Sequence, residues 1–141
     1  MERLSRPSVG ALARDLASGA WGRADRHDGW ELPDGALVAR SDGPLLYPNV
    51  NLVKERVLAL VADADPRPRI VVLDLSSTTD LDLQTADTID ELNQQLARDG
   101  IELRLAAVRA PAREVLDRAG VCERVPIGST IDESLADHTE R

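Results

Sequence analysis

The hydrophobic and polar positions of the chain follow two periods, that of a strand and that of an amphipathic helix. Residues 70–75 form a nearly continuous apolar run of strand length, which is typical of a central strand buried on both faces. Residues 101–105 alternate strictly, so they predict a strand with one covered face. A turn at residues 42–44 separates predicted strands at 36–40 and 45–47, which are near enough in sequence to pair as a hairpin.

Four segments repeat their apolar residues at steps of three and four and therefore predict amphipathic helices. In chain order these helices cover residues 49–64, about 83–98, 110–119 and about 131–137. Asn49, preceded by Pro48, and Asp82 are placed to cap the first and second helices, and Pro111 suits the first position of the third. Gly100 suits the left-handed position after the second helix.

The predicted order of elements is β-β-α-β-α-β-α, followed by a tail helix. Strands that alternate with helices favour right-handed crossovers and parallel pairing, so we expect an α/β fold with a mixed β-sheet made of an N-terminal hairpin plus parallel strands. Residues 1–35 hold five glycines and no sustained period. We expect them to form a linker or N-terminal arm with room for one short strand at 9–12, and the domain itself to cover residues 36–141.

Composition and charge narrow the functional classes. The 141 residues fit one domain, and their apolar runs are far shorter than the ~20 residues of a membrane span. Seventeen basic and 25 acidic residues give a net charge of −8, which repels phosphate backbones, so nucleic-acid binding is not expected. The single cysteine, Cys122, excludes an internal disulfide and a cysteine-based zinc cluster. Because no secretory leader pattern opens the sequence, we expect a soluble cytoplasmic domain.

Residue types that carry catalysis are sparse. His27 and His138 lie in the N-terminal arm and the tail, and no pattern brings either one beside Ser76, Ser77 or Cys122. The two common glycine-rich phosphate-binding motifs are missing. We therefore expect no enzymatic activity and assign no catalytic residue.

Residues 74–87 carry most of the candidate chemistry. Four carboxylates here could ligate a metal: Asp74, Asp80, Asp82 and Asp87. A calcium-binding loop counted from Asp80 lacks its turn glycine, because Thr85 stands there. Capping of the second helix by Asp82 is the favoured explanation, so no metal site is predicted. The hydroxyls of residues 76–79 are expected to form turns, with phosphorylation as the alternative.

The same segment resembles the STAS domain, which sulfate transporters and anti-sigma-factor antagonists share. The family pattern is a buried strand ending in aspartate, a short loop, the motif Asp-Ser-[Ser/Thr]-Gly and an amphipathic helix. Here the strand at 70–75, Asp82-Leu83-Gln84-Thr85 and the helix at 86–98 occupy these places. Residues 100–108 and 111–120 are similar to the next strand and helix of the family. The resemblance implies a STAS-like mixed sheet with alternating helices.

The upstream half resembles the version of this domain found in sulfate permease (SulP) anion transporters. Residues 37–50 and 54–57 are similar to its first strand, turn and helix, and residues 21–27 look like the linker after the last membrane helix. In anti-sigma-factor antagonists the serine after the motif aspartate is phosphorylated, whereas Leu83 stands here. The resemblance implies a regulatory domain at the cytoplasmic face of the membrane. The alternative is a free-standing signalling module similar to an anti-sigma-factor antagonist.

We expect the loop and helix that carry the resemblance to face a partner. The candidate residues are Thr79, Asp80, Asp82, Leu83, Gln84, Thr85, Asp87, Asp90, Glu91 and Gln94. A solvated helix face with a capped start explains the same residues without a partner. The expected partner is the membrane domain of the same transporter, with a homodimer left open. No cofactor is expected, although weak GTP or ATP binding at the start of the helix is an alternative that a helix N-terminus favours.

Overall fold

The computed structural model describes residues 9–43, 45 and 49–139, which form strands and helices in alternation. The strands are β1 (Val9–Arg14), β2 (Trp21–Arg23), β3 (Ala36–Ser41), β4 (Ile70–Asp74), β5 (Glu102–Ala106) and β6 (Ile127–Gly128). The α-helices are α1 (Asn49–Asp63), α2 (Leu83–Arg98), α3 (Ala110–Arg118) and α4 (Ile131–Thr139). Single 3-10 turns cover Ala24–Arg26 and Val121–Glu123. The four predicted helices are confirmed, and β6 is an element that the sequence pattern did not predict.

The described strands form one mixed sheet in the order β2-β1-β3-β4-β5-β6. The four strands from β3 to β6 run parallel to one another, while β1 runs antiparallel to both β2 and β3. The predicted α/β class with a mixed sheet and parallel strands is therefore confirmed, and the structure has an N-terminal hairpin that β1 and β2 form in place of the predicted strands. The parallel strands place all the loops that follow them at the same edge of the sheet.

The specific pairing predicted between residues 36–40 and 45–47 is wrong. β3 has β1 on one side and β4 on the other, so no third strand can bond to it. Leu45 is instead buried, and its backbone N–H donates to Thr78 Oγ1 at 3.0 Å. The rest of the predicted second strand, and the predicted helix start at Pro48, lie outside the described residues.

The N-terminal arm contains more strand than the sequence pattern predicts. The strand expected at residues 9–12 is present, but β1 continues to Arg14 and is followed by β2. Arg14 also exchanges two backbone hydrogen bonds with Glu31, at 2.8 and 2.9 Å. Leu12 and Ala13 are fully buried. Residues 9–23 thus contribute two strands to the sheet where a mostly irregular arm was expected.

Two apolar clusters cover the two faces of the sheet. Val71 and Leu73 of β4 belong to the larger cluster, which holds the apolar faces of α1, α2 and α3. Ile70 and Val72 of the same strand belong to the smaller one, which α4 covers. β4 is therefore buried on both faces, as its continuous apolar run predicts. The end of this strand fixes where the loop before α2 begins.

Candidate functional site

The loop before α2 is held in place by hydrogen bonds from three directions. Asp74, the last residue of β4, accepts the N–H of Ser76 at 2.8 Å. Thr78 accepts the N–H of Leu45, and Arg109, at the start of α3, donates to the carbonyl oxygen of Ser76 at 3.2 Å. Because these bonds connect the loop to its neighbours, the start of α2 has a defined position at the carboxyl edge of the sheet.

The first turn of α2 is capped by a carboxylate. Asp82 accepts the N–H of Thr85 at 2.8 Å, which confirms the predicted cap. Asp80 accepts the N–H of Leu81 at 2.9 Å. Both carboxylates lie near the positive end of the helix dipole, where negative charge is stabilising. Within the described residues no group of three or more His, Cys, Asp or Glu side chains is arranged to hold a metal ion.

Six of the ten candidate residues are exposed together at the start of α2. We call them the helix-start surface, and they are Thr79, Asp80, Asp82, Leu83, Gln84 and Asp87. The side chain of Leu83, the first helical residue, is 59% exposed. A large apolar side chain with three carboxylates around it suits a partner that offers both an apolar contact and basic groups.

The assignment of Thr85 to a partner-facing surface is wrong. Thr85 is 0% exposed, and its hydroxyl oxygen has no hydrogen-bond partner among the described residues. Thr85 lies one turn before Ile89, on the face of α2 that packs against the sheet. The helical period therefore contains the signal that could have placed Thr85 inside the domain.

Two of the last three candidates, Asp90 and Glu91, link α2 to neighbouring elements, and the third, Gln94, bonds within α2. Asp90 forms a bidentate ion pair with Arg124, with both N–O distances at 3.0 Å, and Gln94 donates to Asp90 at 3.3 Å. Glu91 lies 3.3 Å from Lys54 Nζ on α1. The hydrogen bond and the charge of Asp90 raise the pKa of the Arg124 guanidinium. Glu91 and Gln94 are also exposed, but all three side chains bond to other residues of the domain and lie further along α2 than the helix-start surface.

Cys122 and His27, two of the side chains considered as catalytic groups, are both in contact with other residues of the domain. Burial, with a hydrogen bond to Asp117, raises the pKa of the Cys122 thiol to about 11, so the thiol stays protonated at neutral pH. His27 stacks on Trp30 with the ring centres 3.7 Å apart. His138 lies in α4, and its side chain is outside the described part of the chain. Of the helices described, none has both the length and the apolar character needed to cross a bilayer.

A second feature, which the sequence pattern did not predict, lies at the opposite edge of the sheet. A cavity of about 330 Å³ is lined by Ala11 and Leu12 of β1, by residues 32–38, and by residues of the stretch 60–68 that ends α1 and leads to β4. Three segments far apart in the sequence meet there, and each alone reads as an ordinary strand, loop or helix end. No local signal could have marked these residues.

The chain matches one family model and is similar in sequence to several transporters. Residues 30–134 match the family model described as the STAS domain. The chain is 33% identical over 110 residues to a probable sulfate transporter of Mycobacterium tuberculosis (strain ATCC 25618 / H37Rv), and 27% identical over 132 residues to sulfate transporter 2.2 of Arabidopsis thaliana. These alignments cover 74% and 85% of this chain, which spans about a fifth of the length of either relative.

Solved structures share the fold at low sequence identity. The murine Solute Carrier 26 family member A9 anion transporter, in its inward-facing state, matches with a TM-score of 0.85 and 16% identity, over 96% of this chain and 22% of that one. The STAS domain of a SulP transporter from Vibrio cholerae matches with 0.64 and 19%, over 82% and 91%. An anti-sigma factor antagonist from Mycobacterium paratuberculosis matches with 0.64 and 21%, over 92% and 93%. At these identities the matches show the fold, which is the α/β fold predicted above.

Proposed function

Because this chain belongs to the STAS domain family, we propose that it is the cytoplasmic regulatory domain of a SulP-type sulfate or anion transporter and acts through protein contacts. The observation that carries the proposal is the 33% identity to a probable sulfate transporter of which this chain matches 20%. A domain with that relation to its relative would accompany a much larger transport protein. Its own role would be to bind and regulate, without catalysing a reaction.

The helix-start surface is the region that we propose contacts the membrane domain. Cytoplasmic loops of membrane proteins carry an excess of Lys and Arg, which complements the carboxylates of Asp80, Asp82 and Asp87. Leu83 would supply the apolar part of the contact. The loop before α2 is hydrogen-bonded to the end of β4, and Leu83 is the first residue of α2. A partner that moves Leu83 would therefore change how α2 packs on the sheet.

The second candidate function is a free-standing signalling module of the anti-sigma-factor-antagonist kind. It is favoured by the fold match to such an antagonist, which has a TM-score of 0.64 over 92% of this chain. Phosphorylation in the manner of that family is disfavoured, because Leu83 has no hydroxyl and Thr85 is fully buried. We therefore rank this function below the transporter domain.

Weak GTP or ATP binding and a homodimer stay predictions. At the start of α2 the carboxylates of Asp80 and Asp82 oppose the binding of a phosphate, although the helix dipole favours it. Thermal melting with GTP or ATP tests the first point, because a ligand of the folded state raises the melting temperature with its concentration. An unchanged melting temperature at millimolar nucleotide contradicts nucleotide binding.

Fractionation of the native cells tests the proposed function. An antibody raised against this domain is used to blot the membrane pellet and the supernatant. A band in the pellet, several times heavier than the 15.3 kDa of this chain, is the expected result. A band of 15.3 kDa in the supernatant overturns the proposal and favours the signalling module.

A further inference from the structure

The cavity at the amino-terminal edge of the parallel strands has apolar walls. Leu37 of β3, Leu60 of α1 and the prolines of the loop before β4 line it, together with Ala64. Leu32, at 62% exposure, adds an apolar side chain that stands largely in solvent. Ligand sites in proteins have volumes of about 300–1000 Å³, so about 330 Å³ has room for one or two side chains.

The charged groups around the cavity all carry the same sign. Asp34, Asp63 and Asp65 line it, and its lining includes no lysine, arginine or histidine. Asp63 and Asp65 are exposed, and no side chain in the described residues bonds to either carboxylate. An apolar site with this rim disfavours an anionic ligand and favours an apolar group that is accompanied by positive charge.

We propose that this cavity binds a basic segment of the membrane domain, which inserts an apolar side chain flanked by Lys or Arg. The inference rests on the proposed function, because it takes the occupant from the larger part of a transporter. The positive-inside bias of cytoplasmic loops supplies such segments, and the net charge of −8 on this chain attracts them. Burial of the apolar side chain supplies affinity, while Asp63 and Asp65 select the basic neighbours.

The cavity and the helix-start surface lie at opposite edges of the sheet. The cavity includes Ala36, where β3 begins, whereas the loop before α2 follows the end of β4. The five residues of β4 span about 17 Å, at about 3.3 Å per residue. A single short segment therefore does not cover both sites, and each can be tested without the other.

Site-specific photo-crosslinking in the native cell tests this inference on the whole protein. A benzophenone amino acid replaces Ala64, which lines the cavity, and in a second strain it replaces Leu32, whose exposed side chain tolerates exchange. The matched control carries it at Ala62, which is exposed on α1 and lies outside the lining. After irradiation, mass spectrometry of the digested protein identifies the peptide that is joined to each position.

The expected adduct joins positions 64 and 32, but not 62, to a Lys- or Arg-rich segment outside this domain in the same polypeptide. The double substitution Asp63→Asn and Asp65→Asn lowers the yield severalfold. The pair Asp28→Asn and Glu55→Gln, which removes two exposed charges elsewhere, leaves the yield unchanged. An adduct to a second copy of this chain, to a small molecule or to a separate protein overturns the inference, as does a yield equal to that at position 62.

The cell fractionation distinguishes a failure of this inference from a failure of the proposed function. A heavy membrane band without a specific adduct overturns only the role of the cavity. A soluble band of 15.3 kDa overturns the proposed function, and this inference with it.

Discussion

Arg40 and Asp74 stand opposite each other on the neighbouring parallel strands β3 and β4, with Arg40 Nη1 3.3 Å from Asp74 Oδ2. The Asp74 side chain is only 5% exposed, and it also accepts the N–H of Ser76. One carboxylate thus joins two strands to the loop that leads to the helix-start surface. Removing the arginine would leave a buried charge with only its backbone partner.

We expect Arg40→Met to lower the free energy of unfolding by about 3 kcal/mol, because breaking a buried ion pair leaves an uncompensated charge. Urea denaturation at neutral pH measures the change. The double variant Arg40→Met with Asp74→Asn should recover part of the loss, since no charge then remains buried. Equal stability of Arg40→Met and the unaltered protein would show that the pair contributes nothing.

Replacement of the α2 cap should cost less. Asp82→Ala removes the acceptor of the Thr85 N–H, and loss of such a cap lowers the free energy of unfolding by about 1 kcal/mol. Asp87→Ala, which removes an exposed carboxylate one turn further along, is the matched control and should change the stability little. If both variants melt alike, the cap does not hold the start of the helix.

Leu83 should be important for regulation and unimportant for stability. Under the proposed function, Leu83→Ser in the full-length protein is expected to lower anion uptake by the cells, while the amount of protein in the membrane stays the same. Leu16→Ser is the control, because Leu16 is the most exposed large apolar residue described, at 67%, and lies outside the surface. Equal uptake by the two variants would remove Leu83 from the proposed contact.

Cys122 should react slowly in the folded protein below pH 9. With a pKa of about 11, roughly one thiol in a thousand is ionised at pH 8, against about a quarter for a free cysteine. Alkylation by iodoacetamide should therefore speed up steeply between pH 8 and 11 in the native protein. The urea-unfolded chain serves as the reference, and a native rate that matches it at pH 8 contradicts the raised pKa.

The raised pKa of Cys122 also determines how the free energy of unfolding changes with pH. The folded state binds the thiol proton more tightly than the unfolded chain, so this contribution is complete below the unfolded pKa of about 8.5. It is lost as the pH rises towards about 11. Replacing Cys122 by Ala should remove that part of the pH dependence from the melting temperature.

The parts of the fold that the sequence predicts are those whose signal is local. The apolar run of β4, the period of α2 and the Asp82 cap each lie within a short stretch, and the structure has them where expected. β6 has two residues, too few for any period to appear. The antiparallel partner of β3 is β1, a short segment more than 20 positions upstream, so only the assembled sheet reveals the pairing.

The position of the candidate surface could be predicted from the sequence. Which of its residues are exposed and which are buried could not be predicted for every one. Leu83 and Thr85 are two residues apart, yet one is exposed and the other buried, because α2 turns about 100° per residue. Asp90 and Glu91 also read as solvated acids in the sequence. Their partners, Arg124 and Lys54, come from other elements, and only the packed structure brings them together.

The smaller apolar cluster has a consequence for synthesis on the ribosome. Val38 and Ile70 are made long before Ile131 and Leu135, the residues of α4 that cover them. Synthesis proceeds at about 5–20 residues per second, so the apolar face formed by β3 and β4 remains uncovered for several seconds until α4 has been made. During that interval the nascent chain presents an open apolar sheet face to chaperones and to other nascent chains.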